Sequence, residues 1–293
     1  MHLIVNPAAA GGRVGRQWPR LRERLKAVGF DLPFSLTEAP GHASDLAAEA
    51  IAQGHDVIVA AGGDGTICEA LQGLHAAGKG TLAILPLGTG NDAARTLGLP
   101  LKLEDAARLV LAGTTRRVDL MLAGDRVVLN AIGIGLLGTI NVNAASIKIV
   151  RGIAAYLGAA AGTLFRYRCP HIELTNGGTH SYSGPMTILA IHNGVTTGGG
   201  FRLCPRAVPD DGELDATLVA GTTVPQRFPA LVDAVRGTLA RQSFTQEIRF
   251  TRLELRCDER LAYHWDGNGS YIEPPGMTFE VLPDALTVVA PGH

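Results

Sequence analysis

Two textures of apolar and polar positions divide this chain. Over about the first hundred residues, short apolar runs ending in Asn, Pro or Gly alternate with stretches whose apolar residues recur every three or four positions. Leu3 to Val5, Phe34 to Thr37, Val57 to Ala61 and Leu82 to Pro86 read as strands. Trp18 to Val28, with Pro19 tolerated in its first turn, Ala43 to Gln53 and Ile67 to Ala77 read as the helices between them. Strands spaced by helices of this length predict a parallel sheet with right-handed crossovers, and such sheets bind ligands at the carboxyl ends of their strands.

Beyond about residue 115 the period shortens. Arg117 to Leu122, Val127 to Ala131, Ile172 to Thr175, Ser183 to Asn193, Leu214 to Val219, Glu247 to Arg256, Leu261 to Trp265, Met277 to Leu282 and Leu286 to Ala290 are β-rich and bounded by turn residues. That pattern predicts an antiparallel β-sandwich or barrel, interrupted by two helical stretches, Ser146 to Arg166 and Pro225 to Leu239. The expected organisation is a Rossmann-like α/β nucleotide-binding domain over residues 1–117 and a mainly antiparallel β-sandwich over 118–293, whose last residues return to the first domain. The cleft between them is the natural active site.

Composition narrows the picture. At 293 residues, 46% hydrophobic and 18% charged, the chain has enough apolar material for two cored domains. A formal net charge of −1 provides no field for nucleic acid, so no such partner is expected. Cys68, Cys169, Cys204 and Cys257 are scattered with no C-x-x-C pair, which suggests neither zinc nor disulfides and fits a reducing cytoplasm. The start lacks the pattern of a signal peptide, and no window of about 18 apolar residues offers a spanning helix.

The candidate chemistry lies where the third strand ends. Gly62-Gly63-Asp64-Gly65-Thr66 joins that strand to a helix, so its glycines let backbone N–H groups approach a phosphate while the helix N-terminus adds donors. An aspartate within a phosphate loop needs a cation beside it, which points to a magnesium nucleotide; the plain alternative is a tight turn in which Asp64 caps the helix. The next strand ends in a similar turn, Pro86-Leu87-Gly88-Thr89-Gly90-Asn91-Asp92, before another helix.

Five segments in order then carry a resemblance. They are Val5-Asn6-Pro7 with Gly11-Gly12-Arg13, Gly62 to Thr66, Pro86 to Asp92, Gly198-Gly199-Gly200 with Pro205-Arg206-Ala207 and Asp211 to Asp215, and Asp266-Gly267 before Pro283 to Pro291. Together they resemble the diacylglycerol kinase catalytic family, which includes sphingosine and ceramide kinases and soluble bacterial lipid kinases. The resemblance implies a fold of the NAD kinase and diacylglycerol kinase type, an α/β domain followed by a β-sandwich. It also implies transfer of the γ-phosphoryl of ATP, with Mg2+, to the hydroxyl of diacylglycerol or another lipid alcohol. Peripheral contact with the inner membrane face and a homodimer are compatible with it.

Phosphoryl transfer asks for positioning, charge neutralisation and a proton acceptor. By the resemblance, Gly62, Gly63, Gly65 and Thr66 cradle phosphates, Gly88, Thr89 and Asn91 close the other side, and Asn6 with Arg13 or Arg16 meets the nucleotide from the first turn. Asp64 and Asp92 organise magnesium and Asp119 joins them; a helix cap for Asp92 and a solvated strand end for Asp119 are the alternatives. Asp266 is the expected proton acceptor, catalytic together with Asp64. Asp211 and Glu213 are candidates for a structural magnesium or for a polar surface loop.

The chain departs from the family in three places. Ala8-Ala9-Ala10 stands where the family more often has a serine and glycine, Asn268 stands where it usually has a glutamate, and Gly133 to Leu137 lacks an aspartate that members often place near the lipid headgroup. Asn268 keeps open a binder without turnover, and the shared GGDGT keeps open an NAD kinase-like enzyme, although that family's Asn-Glu pair is not evident. The basic first helix reads as a solvated face and His192 as a strand-end histidine. The helix Ser146 to Arg166 reads either as a membrane-interface element or as one buried against the sandwich.

Overall fold

The computed structural model describes residues 1–146, 162–266 and 268–292. Strands β1 (His2–Val5), β2 (Phe34–Leu36), β3 (Val57–Gly62) and β4 (Thr81–Pro86) form a parallel sheet in the order β4-β3-β1-β2. Successive β3 side chains enter opposite layers. Ile58 and Ala60 join Ala47 of α2 (His42–Ala52) and Ile67 and Leu71 of α3 (Asp64–Ala77); Val59 and Ala61 join Val14, Trp18, Leu21 and Leu25 of α1 (Ala9–Lys26). Covered on both faces, these strands are continuous apolar runs.

Helix α1 begins earlier than expected. Its apolar stripe extends back through Val14 to a left-handed turn at Ala10, Gly11 and Gly12, with φ of 50°, 65° and 78°. Two further helices, α4 (Asp92–Thr96) and α5 (Leu103–Ala112), follow β4, and α5, which the sequence reading passed over, buries Leu103, Ala106, Ala107 and Val110 in the α1 layer.

The second half is the β-sandwich. Its elements are β5 (Thr115–Ala123), β6 (Arg126–Val128), β7 (Ala131–Gly135), α6 (Leu136–Ser146), β8 (His171–Asn176), β9 (Thr179–His192), β10 (Leu214–Ala220), α7 (Val224–Arg236), β11 (Thr245–Phe250), β12 (Arg252–Cys257), β13 (Leu261–Trp265), β14 (Asn268–Ile272) and β15 (Gly276–Val289). The long β9 belongs to both layers, its first half pairing with β8 and its second with β7 and β10. Ile172, Leu189, Leu253 and Phe279 meet in the core between the layers.

Three expectations change in detail. Glu247 to Arg256 divides into β11 and β12, which pair with different neighbours, whereas Met277 to Leu282 and Leu286 to Ala290 merge into β15. Strand β15 runs antiparallel to β5 and β12, and its Thr287 and Val288 pair in parallel with Thr81 and Leu82 of β4, so one strand ties the sandwich to the first sheet. The helix expected over Ser146 to Arg166 lies largely outside the described residues; residues 162–166 are helical. Among the described residues no helix is long and apolar enough to cross a membrane.

Candidate active site

Strands β3 and β4 end side by side, and their turns touch back to back. A Cβ on Gly88 would lie 2.4 Å from the Gly63 Cα, and one on Gly62 would lie 2.4 Å from Thr66 Oγ1, so neither position admits a side chain. Asn6 Nδ2 donates to Thr66 Oγ1 (2.9 Å) while its Oδ1 accepts the Ala8 N–H (2.8 Å), tying the first turn to GGDGT. Asn91, left-handed at φ 54°, accepts the Gly88 N–H at 2.9 Å and closes the second turn. Between the turns lies a polar cleft of about 420 Å³, with Asn6, Gly63, Gly65, Thr66, Gly88 and Thr89 in its wall. Arg13, expected to meet the nucleotide, is outside that wall. The stretch Thr37 to Pro40 is in it and was not foreseen, because it carries no motif and reaches the cleft only through the parallel pairing of β2 with β1.

Neither Asp64, in this wall, nor Asp92, at the start of the next helix, caps its own helix. Asp64 opens α3, yet its Oδ1 accepts the Ala93 N–H of α4 at 3.0 Å. Asp92 opens α4, and its Oδ2 accepts the Gly199 N–H from the sandwich at 2.7 Å. A Cβ on Gly90 would lie 3.1 Å from both Oδ2 atoms, so the two carboxylates flank one point. Burial pushes the Asp64 carboxyl up, with the charge of Asp92 adding to the rise and the Ala93 N–H opposing it. Asp92 Oδ1 is buried with no partner, a costly state for a carboxylate oxygen.

Those features fit a hard cation. Among the described residues no three acidic, His or Cys side chains form a ready-made metal cluster. A pair of carboxylates suits magnesium, which keeps several waters and takes its remaining ligands from phosphates.

The opposite wall comes from the sandwich. Asp266 follows β13, is 7% exposed and takes φ 40°. Its carboxylate accepts the Ala131 N–H at 3.0 Å and the Asn130 N–H at 3.3 Å. Burial, followed by the charge of Asp64, pushes it up to about 7 against those hydrogen bonds. Asn268 lines the same cleft, and a Cβ on Gly65 would lie 3.7 Å from its Oδ1. The GGDGT turn and the Asp266 turn therefore face each other.

Three acidic residues expected at magnesium are engaged elsewhere. The Asp119 carboxylate accepts the Gly212 N–H at 2.7 Å and the Asp284 N–H at 2.8 Å, which makes this residue a buried strut between two loops and not a solvated strand end. Asp211 and Glu213 both pair with Arg249 on β11, which offsets part of the negative charge of the acidic loop. His192 is fully buried, with Nδ1 2.8 Å from the Gly194 carbonyl, and burial lowers it to about 4.

A second cavity, of about 220 Å³ and apolar, has His264, two residues before Asp266, in its wall. Leu137, Ile188, Phe201, Leu203 and Ala230 also line it. Burial lowers His264 to about 4, so its imidazole is neutral at pH 7, and its Nδ1 is buried without a partner. Gly133 makes room for that ring, since a Cβ there would lie 2.3 Å from Nε2. One loop joins the apolar cavity to the acidic pair: Thr197, Gly198 and Phe201 line the cavity, and the Gly199 N–H holds Asp92.

Family models follow the same two halves. The diacylglycerol kinase catalytic domain matches residues 1–123, and the YegS C-terminal NAD kinase beta sandwich-like domain matches residues 130–290. A Pseudomonas putida protein named "Probable lipid kinase YegS-like" is 34% identical over 270 residues, 91% of this chain and 88% of that one. This chain belongs to the diacylglycerol kinase catalytic family. A second relative of that name, from Chromohalobacter salexigens, is 31% identical and covers 99% of this chain and 92% of its own. The crystal structure of a diacylglycerol kinase from Bacillus anthracis superposes with a TM-score of 0.75 at 26% identity, covering 99% and 96% of the two chains. An Archaeoglobus fulgidus NAD kinase in complex with ATP shares the fold, with a TM-score of 0.52 at 15% identity. For this family, kinase chemistry is the framework in which the cleft is read.

Proposed function

We propose that this protein is a lipid kinase that transfers the γ-phosphoryl of Mg-ATP to the hydroxyl of diacylglycerol or a closely related lipid alcohol. The observation that carries this reading is the turn around the buried Asp266 carboxylate, with Asn268 on one side lining the glycine-walled cleft and His264 on the other lining the apolar cavity. The backbone N–H groups of the GGDGT and Gly88-Thr89 turns receive the phosphates, where glycine allows close approach. Magnesium, bound with the nucleotide between Asp64 and Asp92, would neutralise phosphate charge.

The apolar cavity takes an acyl chain, so the glycerol hydroxyl is held at the boundary where Asp266 lies. Asp266 accepts the hydroxyl proton as that oxygen bonds to the γ-phosphorus, and the bond to the β–γ bridging oxygen breaks to release ADP. A carboxyl raised to about 7 is a far better base than an ordinary aspartate and is still ionised above neutrality.

Purified protein with labelled ATP and magnesium, offered diacylglycerol micelles, a sphingoid base, phosphatidylglycerol and NAD in turn, tests the assignment. Label in diacylglycerol or another lipid alcohol is expected. Label in NAD alone overturns the reading, and bound ATP without transfer would identify a silent binder.

A further inference from the structure

Helix α7 carries its apolar stripe on the outside. Phe228, Leu231, Val232 and Val235, at i, i+3, i+4 and i+7, are 44–53% exposed, and Phe165 at 58% packs edge-on against Phe228 with ring centroids 5.7 Å apart. A helix that packs on a sandwich would ordinarily turn such a stripe inward. The inner face of α7 instead holds Ala230 and Ala234, which line the apolar cavity, and the buried Arg227. The Arg227 guanidinium donates to the carbonyls of Leu164, Tyr167 and Thr222, so the orientation of the helix is fixed. Leu231 belongs both to the outer stripe and to the cavity wall, which makes the stripe continuous with the rim of the cavity.

Around the stripe arginines outnumber the one carboxylate, Asp233, whose charge Arg236 and Arg241 face. Arg166 and Arg168 flank Phe165, Arg236 ends α7, Arg241 follows it and Arg202 packs beside Gly237; all five are exposed, and among the described residues none forms an ion pair. The nearby carboxylate of Asp233 is held by Thr238 and Gln242.

We propose that this face, α7 with Phe165, docks on an anionic lipid bilayer and sets the rim of the apolar cavity against the membrane from which the substrate is drawn. An apolar stripe with exposed arginines beside Phe165 and at the end of α7 matches an acyl boundary below anionic headgroups. The proposal rests on the lipid-kinase reading for its purpose, and it is tested by binding, which needs no turnover.

Wild type and the double variant Val232→Gln, Val235→Gln, which touches neither cavity, would be co-sedimented with phosphatidylcholine vesicles and with vesicles containing about a third phosphatidylglycerol. Wild type should bind the anionic vesicles, weaken as salt rises, and lose about tenfold in partition on substitution, because apolar area and charge both drive such binding. The variant should still phosphorylate monomeric dioctanoylglycerol at the wild-type rate but act several-fold more slowly on diacylglycerol embedded in anionic vesicles. Equal vesicle binding by variant and wild type overturns the proposal. So does a concentration-dependent dimer that the variant splits, which would assign the face to a second copy of the chain. Vesicle binding without any phosphorylation by wild type would leave the docking face standing and sink the kinase reading.

Discussion

The polar cleft and the apolar cavity are neighbours built on opposite principles. In the cleft, glycines strip away side chains so that backbone donors and the Asp64 carboxylate face an open space of about 420 Å³. In the cavity, side chains from β9, α6 and α7 enclose about 220 Å³ and leave few polar atoms. The β13–β14 turn links them, with His264 in the wall of the cavity and Asn268 in the wall of the cleft on either side of Asp266. Phosphate is recognised by backbone, which any fold can present; a fatty chain is recognised by shape, which only a packed second domain supplies.

The boundary is where the largest effect is expected. Asp266→Asn should lower kcat by about a thousandfold, within the range for losing a general base, and leave ATP affinity within about twofold. Because the fold raises the Asp266 pKa from 3.8 to about 7, the folded state holds a proton that the unfolded chain releases, so that contribution to stability is fully present below about pH 4 and is lost as pH rises through about 7. An amide offers one acceptor oxygen for the two N–H groups of Asn130 and Ala131, so the variant should melt a few degrees lower at pH 5, and the gap should narrow at pH 8. Retained activity would remove Asp266 from the role of base.

Substitutions on one side of the boundary should separate the two cavities. Gly88→Ala places a methyl 2.4 Å from the Gly63 backbone, so it should cost about 1–3 kcal/mol of stability and at least tenfold in ATP affinity by calorimetry, while lipid KM changes little. Ala230→Phe fills the cavity instead. It should lower kcat/KM for dioleoylglycerol about tenfold relative to dioctanoylglycerol and spare the KM for ATP. Equal losses for both lipids would place the acyl chain elsewhere.

The smallest effect concerns Asn268. With Asp266 acting as base, log kcat/KM should climb through about pH 7 and then level. Asn268→Glu adds a carboxylate facing Gly65, on the Asp266 side of the cleft, and like charge should move that limb up by about half a pH unit to one unit. An unmoved limb would show that position 268 does not communicate with the base.

Much of the first domain was legible because its elements are local. Val57 to Ala61, the glycines and the helix after them state strand, turn and helix within twenty residues, and Asn6, Gly62 to Thr66, Gly88 and Thr89 come together at adjacent strand ends as parallel topology requires. What the sequence by itself determined is therefore the period of each half and the residue types of the phosphate wall. Only the tertiary structure decided the partners of the acidic side chains, because Asp64, Asp92, Asp211 and Asp266 all lie in turn-like surroundings that look alike locally, and the partners of Asp119, inside β5, come from loops distant in sequence. Folding gave Asp92 the Gly199 N–H, spent Asp119 on two loops, paired Asp211 with Arg249 and buried Asp266 beside Asp64. It also turned the stripe of α7 outward, since the same i, i+3, i+4, i+7 pattern describes a buried face and a membrane face alike, and the direction is set by the anchoring of Arg227.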